Sequence, residues 1–241
     1  MQKIALIVPC YNEEKRLKES SLIELIQNTR ATIFIANDGS KDQTLALIEK
    51  FASHHPSRVF VINYPENEGK ANTIYKSVNQ LLEKKEFDFI GYFDADFSTP
   101  SSEIVRMIDE LDKSKASFIF GSRVLILNSK IERKRYRHII GRIIVTIINT
   151  RFSLGVYDTQ CGAKIFSKET ASIAFSKSFF TSWLFDVEVF IRLRKSGLLN
   201  SGQEFPLKQW KDIEGSKLSW KTGFKILREL NLLMKNYAKH V

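Results

Sequence analysis

A chain of 241 residues, 43% of them hydrophobic, can bury one sizeable core and is read as a single domain over 1–241 with an amphipathic helical segment at 218–241. Its formal charge of +10 points to an anionic partner, and nucleic acid, a phosphorylated substrate or an acidic membrane would each satisfy it. Nucleic acid is set aside because the chain carries no recognisable binding module and no repeated basic and aromatic pattern. The two cysteines, Cys10 and Cys161, stand far apart beside apolar residues and in no metal-ligand spacing, as expected of reduced thiols in a cytoplasmic protein. The chain opens almost directly on an apolar run, and no stretch approaches the roughly twenty apolar residues of a membrane span. The expectation is a cytoplasmic protein, at most peripheral at the inner face of a membrane.

In chain order, the β-rich runs 3–8, 31–36, 58–62 and 88–93 read as buried strands. Between them, 71–86 carries Ile74, Val78, Leu81 and Leu82 on one helical face, and 101–114 carries Ile104, Val105, Ile108 and Leu111. Pro100, Ser101 and Ser102 with Glu103 predict a capped start for the second helix. The alternation predicts an α/β fold with a doubly wound, mostly parallel sheet whose ligands bind at the carboxyl ends of the strands. After a further strand at 117–121, a basic stretch at 130–137 leads into an apolar stripe of Ile139, Ile140, Ile143, Ile144, Ile147 and Ile148. The stripe is expected mainly to pack on the core. The segment 221–239 reads as a helix with a broad apolar face beside Lys221, Lys225, Arg228 and Lys235, placed equally well on a membrane, on the core or in a homo-oligomer contact.

Chemistry is expected in the loops after the strands. Asp94-Ala95-Asp96 follows an apolar strand directly, and two carboxylates one residue apart can hold Mg²⁺ or Mn²⁺ together with the phosphates of a nucleotide. An isolated Asp-x-Asp is more often a plain acidic turn, so the weight lies in its company. The first strand ends in Val8-Pro9-Cys10-Tyr11-Asn12-Glu13-Glu14 and the second in Ala36-Asn37-Asp38-Gly39-Ser40-Lys41-Asp42, loops that a doubly wound sheet brings together. Asn67-Glu68-Gly69-Lys70 adds a turn and a cation ahead of a helix. The chain has no Gly-x-Gly-x-x-Gly and no Walker-type loop, which argues against a dinucleotide oxidoreductase or a P-loop NTPase. A nucleotidyltransferase normally opens with a glycine-rich loop where this chain has Pro9-Cys10-Tyr11-Asn12.

These four motifs, in this order, resemble the family 2 glycosyltransferases of the GT-A fold. The likeness continues through Gly121-Ser122-Arg123, Asp158-Thr159-Gln160-Cys161-Gly162, Trp183-Leu184-Phe185-Asp186-Val187-Glu188 and Glu214-Gly215-Ser216-Lys217-Leu218, which look like the dolichyl-phosphate β-glucosyltransferase branch. The resemblance implies that Pro9, Tyr11, Glu13, Asp38, Lys70, Asp94 and Ala95 bind the donor, a nucleotide-diphosphate sugar with UDP-glucose as the nearest branch's choice. It implies a divalent metal at Asp94 and Asp96, and catalytic roles for Asp96, Arg123, Arg137 and Asp186. Arg133, Gln160 and Lys217 fall on the acceptor side, toward a polyprenyl phosphate. Asn37 departs from the family, which commonly has an aspartate there, and this touches base preference.

What the resemblance implies mechanistically is an inverting single displacement. Asp96 through the metal, with Lys70, would meet the charge on the leaving diphosphate. A polyprenyl phosphate is already ionised and needs no general base, only arginines to orient it. The alternative is a sugar hydroxyl acceptor in glycan or capsule synthesis, with Asp186 as the base. No counterpart of the eukaryotic relatives' amino-terminal anchor is read in this sequence, so the two apolar-faced helices are the expected route to a membrane. Trp183, Trp210 and Trp220 are candidates to stack on a sugar and equally candidates for the core.

Overall fold

Each strand of the first half lies in a continuous apolar run because both of its faces are covered. In β1 (Ile4–Cys10), Ile4, Leu6 and Val8 enter one core while Ala5 and Ile7 enter another on the opposite face. The computed structural model describes residues 2–213 and 220–237, so Lys217 and the rest of 214–219 lie outside the described residues. α1 (Glu19–Asn28), β2 (Thr32–Asp38), α2 (Thr44–His54), β3 (Val59–Tyr64), α3 (Lys70–Lys84), β4 (Phe89–Tyr92), α4 (Ser101–Lys113) and β5 (Phe118–Ser122) follow in alternation. Next come β6 (Lys130–Glu132), α5 (Arg135–Phe152), β7 (Lys164–Ser167), α6 (Lys168–Ala174) and α7 (Phe185–Lys195). A short turn of 3₁₀ helix, β8 (Gly202–Pro206), β9 (Gln209–Lys211) and α8 (Trp220–Tyr237) complete the described chain.

The main sheet has seven strands in the order β3-β2-β1-β4-β7-β5-β8. β3, β2, β1 and β4 pair in parallel, β7 runs antiparallel between β4 and β5, and β8 is parallel to β5. β6 and β9 form a separate two-stranded ladder. α1, α2 and α4 cover one face of the sheet, and α3, α5, α6, α7 and α8 the other. The expected mostly parallel α/β sheet is present. The sequence reading did not find β7, a short strand whose first residue is a lysine.

Two further expectations need correction. Pro100 stands at the N-cap of α4 without a side-chain cap; Ser101 bonds Glu24, and the buried Glu103 pairs with Arg106 and accepts from Lys208 N at 3.0 Å. The capping-box pattern is therefore spent on tertiary contacts. The isoleucine stripe of α5 is also not mainly core: Val145, Ile148 and Phe152 are buried, whereas Ile139, Ile140, Ile143 and Ile147 are exposed. Positions 139, 143 and 147 recur every four residues on the face turned away from the core. α8 divides similarly, with Ile226, Leu230, Leu233 and Tyr237 buried and Phe224 and Leu227 exposed.

Candidate active site

The parallel arrangement of β2, β1 and β4 brings the loops after Asp38, Cys10 and Tyr92 to one edge of the sheet. β7 runs the other way, with Lys164 paired to both Tyr92 and Phe120, so the 158–162 loop arrives at that same edge. Asp94 and Asp96 leave the end of β4 there. The carboxylate of Asp94 ion-pairs with Lys70 at the first turn of α3, and Ser98 N donates to Asp96 Oδ1 at 2.9 Å. Burial first, and the charge of Asp94 second, raise the pKa of Asp96 above the usual carboxylate range. Burial alone would lower the Lys70 ammonium, but Asp94, Asp186 and Asp96 outweigh it and raise its pKa.

The loops after β1 and β2 are zipped together by their own side chains. Asn12 N donates to Ser40 Oγ at 3.1 Å, Lys41 N to Asn12 Oδ1 at 2.8 Å, and Glu13 N to Thr44 Oγ1 at 2.7 Å. Glu13 holds Arg16 through both oxygens, at 2.8 and 2.6 Å, and burial and then its neighbours set its pKa above normal, Asp96 and Asp94 among them. Pro9 is the penultimate residue of β1, and Tyr11 just beyond it keeps an open ring, 40% exposed. Asp38 is buried, and its two oxygens accept from Glu68 N at 2.8 Å and Gly69 N at 2.9 Å. Asp38 thereby fixes the turn that launches Lys70. Asn37, the departure from the family pattern, is buried and donates to Asn63 Oδ1 on β3 at 2.8 Å. Ala95 is buried between the two aspartates.

A cavity of about 420 Å³ has Lys70, Asp94 and Asp96 in its wall. Arg123, Arg133, Arg137 and Arg142 line it with Asp158, Asp186 and Asp212, and Ile140, Ile144 and Ile226 form an apolar stretch. Arg123 grips Asp158 through Nε at 2.6 Å and a terminal nitrogen at 2.8 Å, over the Trp210 ring. The Arg123 guanidinium and hydrogen bonds hold Asp158 far below the usual carboxylate range despite its burial. Arg137 pairs with Asp212 at 2.6 Å. Burial, and then Arg123, push Arg133 down to about 10, still cationic at neutral pH and electrostatically eased by an anion. Gln160 lines the cavity with a buried Nε2 that has no hydrogen-bond partner. The cavity therefore brings together Lys70, Asp94, Asp96, Arg123, Arg133, Arg137, Gln160 and Asp186, while Pro9, Tyr11, Glu13 and Asp38, expected to bind the donor, are not in its lining.

Sequence reasoning missed the support beneath these residues. Asp186 Oδ1 accepts from the Tyr92 hydroxyl and from Lys164 Nζ at 2.7 Å, and Lys164, fully buried, also donates to Cys161 O at 2.6 Å. Burial and the Asp186 charge push the Tyr92 phenol well above its ordinary value, so it remains a donor. The available signal was a lone lysine opening an otherwise apolar Lys-Ile-Phe run. Glu204, which accepts from Tyr157 N at 2.9 Å and Asp158 N at 2.8 Å, left no comparable trace.

Whether a divalent cation fits can be judged from the donor set. Among the described residues no group of three or more His, Cys, Asp or Glu side chains could hold a metal. Asp94 and Asp96 nevertheless present two carboxylates side by side at the head of the cavity, with the pKa of one raised by the other. That arrangement suits a hard cation whose remaining ligands are diphosphate oxygens and water.

The profile of glycosyl transferase family 2 matches residues 5–179. A dolichyl-phosphate β-glucosyltransferase of Trichomonas vaginalis is 31% identical over 229 residues, covering 89% of this chain and 68% of that protein. The dolichyl-phosphate β-glucosyltransferase of Homo sapiens is 29% identical over 239 residues, covering 90% and 70%. Among solved structures, the chain is similar to glucosyl-3-phosphoglycerate synthase from Mycobacterium tuberculosis in complex with Mn²⁺, UDP and glucosyl-3-phosphoglycerate. The TM-score is 0.69 at 15% identity, over 98% of this chain and 80% of that one. A mannosyltransferase from Pyrobaculum calidifontis in complex with GDP-Man and Mn²⁺ gives a TM-score of 0.61 at 15% identity, over 94% and 61%. At such identities the structural likeness speaks for the GT-A fold, and the family profile and relatives speak for the enzyme: this chain belongs to glycosyl transferase family 2.

Proposed function

We propose that this chain transfers glucose from UDP-glucose to a polyprenyl phosphate, with inversion, at the cytoplasmic face of a membrane. The observation that carries the reading is the composition of the cavity wall. It combines Asp94, Asp96 and Lys70 with four arginines and with Ile140, Ile144 and Ile226. Carboxylates for a metal, guanidinium groups for a phosphate and aliphatic side chains for a lipid stem occur in one continuous space. The dolichyl-phosphate β-glucosyltransferases to which the chain is similar support the same acceptor class.

Asp94 and Asp96 would hold a divalent ion, Mg²⁺ or Mn²⁺, which when bound supplies positive charge to the leaving diphosphate. Lys70 is mobile in charge terms: it pairs with Asp94 now, and a diphosphate arriving beside it offers a stronger partner. Arg123 is pre-aligned by its two-point grip on Asp158, so it can present its remaining N–H face without first being ordered. Arg133, Arg137 and the unpartnered Gln160 Nε2 complete a set of donors for the acceptor phosphate, whose oxygen is already ionised and attacks the anomeric carbon without a base. In this reading Asp186, tied to Tyr92 and Lys164, positions the floor of the cavity and supplies charge near Lys70.

No described helix is long and apolar enough to cross a membrane. The exposed Ile139, Ile143 and Ile147 of α5 and Phe224 and Leu227 of α8 lie on helices that also contribute Ile140, Ile144 and Ile226 to the cavity. With Arg135, Lys225 and Arg228 on the same helices, these faces suit the interface of a bilayer containing anionic lipid.

The test is nucleoside diphosphate release from a panel of nucleotide sugars, with Mn²⁺ or Mg²⁺, in the presence and absence of polyprenyl phosphate in detergent. Release that requires both metal and lipid phosphate, greatest with UDP-glucose, is expected. Metal-dependent donor binding with release stimulated only by a hydroxyl acceptor would overturn the acceptor assignment and return Asp186 to the role of base.

A further inference from the structure

The segment 181–184, between α6 and α7, forms part of the cavity wall: Ser182, Trp183 and Leu184 line it ahead of Phe185 and Asp186. The amides of residues 182–184 are held from a distant part of the chain. The carboxylate of Glu229, on α8, accepts from Ser182 N at 3.2 Å and Ser182 Oγ at 3.0 Å through Oε1. Through Oε2 it accepts from Trp183 N and Leu184 N, both at 2.9 Å. Each oxygen thus has two donors, and a buried carboxylate is fully satisfied. The three amides belong to the residues that lead into α7, Leu184 being its N-cap, and a negative charge is favoured at that end of a helix. Glu229 therefore caps the entrance to α7 from another helix, some 45 residues downstream in sequence.

A second carboxylate braces the same segment. Glu188 Oε1 accepts from Thr181 N and Thr181 Oγ1 at 2.7 Å, and its Oε2 accepts from the Tyr237 hydroxyl at 3.0 Å. α8 reaches the wall at two points eight positions apart, 229 and 237, on the face that also buries Ile226, Leu230 and Leu233. Trp183, 37% exposed, stands on the wall.

We propose that Glu229 is a positioning residue of the acceptor site: from the C-terminal helix it holds residues 182–184 in the conformation that sets Trp183 and the start of α7 against the acceptor. The inference rests on the reading that the cavity beyond Lys70 and Asp94 receives the acceptor. Pro9, Tyr11, Glu13 and Asp38 do not line this cavity, and Glu229 bonds the wall at 182–184 rather than Lys70, Asp94 or Asp96, so its loss should be felt more on the acceptor than on the nucleotide sugar.

The experiment compares steady-state kinetics of the wild-type chain with Glu229→Ala, Glu229→Gln and Leu233→Ala. Leu233 is fully buried in α8 and touches no hydrogen bond of the wall, so its truncation loosens the helix without removing the cap. Glu229→Ala is expected to raise KM for the acceptor about tenfold or more while KM for the nucleotide sugar stays within about twofold. Glu229→Gln keeps the volume but turns an NH₂ toward two amide donors, so it should recover only part of the loss, and it serves where the alanine variant does not fold. An unchanged acceptor KM, or an equal rise in both constants, overturns the proposal. So does Leu233→Ala reproducing the same one-sided change at a matched loss of thermal stability. The split is measured with whichever acceptor the wild-type enzyme uses, so a hydroxyl acceptor would refute the lipid-phosphate reading while still deciding the role of Glu229.

Discussion

The carboxylate of Asp94 lies directly over Gly162, where a Cβ built on residue 162 would fall 2.0 Å from Asp94 Oδ2. The glycine of the Gln-Cys-Gly run is thus the floor on which Asp94, the first carboxylate of the proposed metal pair, rests, and no other residue leaves that space. Gly162→Ala should displace Asp94 or shift the start of β7. We expect a loss of metal-dependent nucleoside diphosphate affinity of about tenfold or more, with a stability loss of roughly 1–3 kcal/mol. Calorimetric titration with Mn²⁺ and UDP, beside thermal unfolding, measures both. Unchanged affinity would show that Asp94 does not need its present position.

Lys164 and Asp186 form a buried ion pair, with the lysine at 0% exposure. Lys164→Met leaves the carboxylate with the Tyr92 hydroxyl alone, and is expected to cost roughly 3–5 kcal/mol. Adding Asp186→Asn removes the unpaired charge and should restore a large part of that stability without restoring activity. Chemical denaturation of the two variants checks the ordering, and a double variant no more stable than the single one would contradict it.

The raised pKa of Asp96 gives the proposed binding of a cation a pH dependence. The cation requires the ionised carboxylate, so protons compete with it, and affinity for Mn²⁺ should fall as pH is lowered, starting at a higher pH than for an ordinary aspartate. In the metal-free protein the sign for stability is opposite: this group favours the fold most when protonated, and that contribution is lost as pH rises through its elevated folded value. Asp94→Asn removes one of the two causes and should lower the Asp96 value, read by carbon-13 NMR titration without metal.

Gly141 in α5 faces Arg133, and a Cβ there would come 2.8 Å from a terminal nitrogen of that side chain. The arginine end is flexible and can move, while the helix gains from replacing glycine. Gly141→Ala is therefore expected to raise stability by about 0.5–1 kcal/mol and to weaken the acceptor interaction several-fold. The unfolding temperature and the acceptor KM should both rise. A stabilised variant with full acceptor affinity would remove Arg133 from the phosphate site.

Ile139, Ile143 and Ile147 are exposed, so changing all three to serine should leave the thermal unfolding nearly unaltered. Binding to vesicles that contain anionic lipid should fall sharply, while transfer to polyprenyl phosphate dispersed in detergent is retained. Sedimentation with vesicles decides this, and undiminished binding would move the membrane contact away from α5.

Much of the fold was legible because the information is local. β1 and β2 are apolar on both faces, α3 and α4 carry stripes spaced for one helical face, and the polar loops between them fall where a parallel sheet collects its ligand-binding ends. β7 escaped because a lysine normally seeks water, and nothing near Lys164 in sequence announces the aspartate that meets it 22 residues later. α5 was read as more buried than it is because six isoleucines exceed what a single helical face can turn inward.

The sequence by itself determined the alternation of strands and helices, the placing of Asp94 and Asp96 at a strand end, and the family to which those motifs belong, since each depends on residues within one or two turns of each other. Only the tertiary structure decided which charges are already paired. Arg123 meets Asp158 across 35 residues, Arg137 meets Asp212 across 75, and Glu229 reaches back 45 to the wall of the cavity. Such partners are chosen by packing of the layers and by the cost of burying a charge alone, and neither is written in the spacing of any one segment.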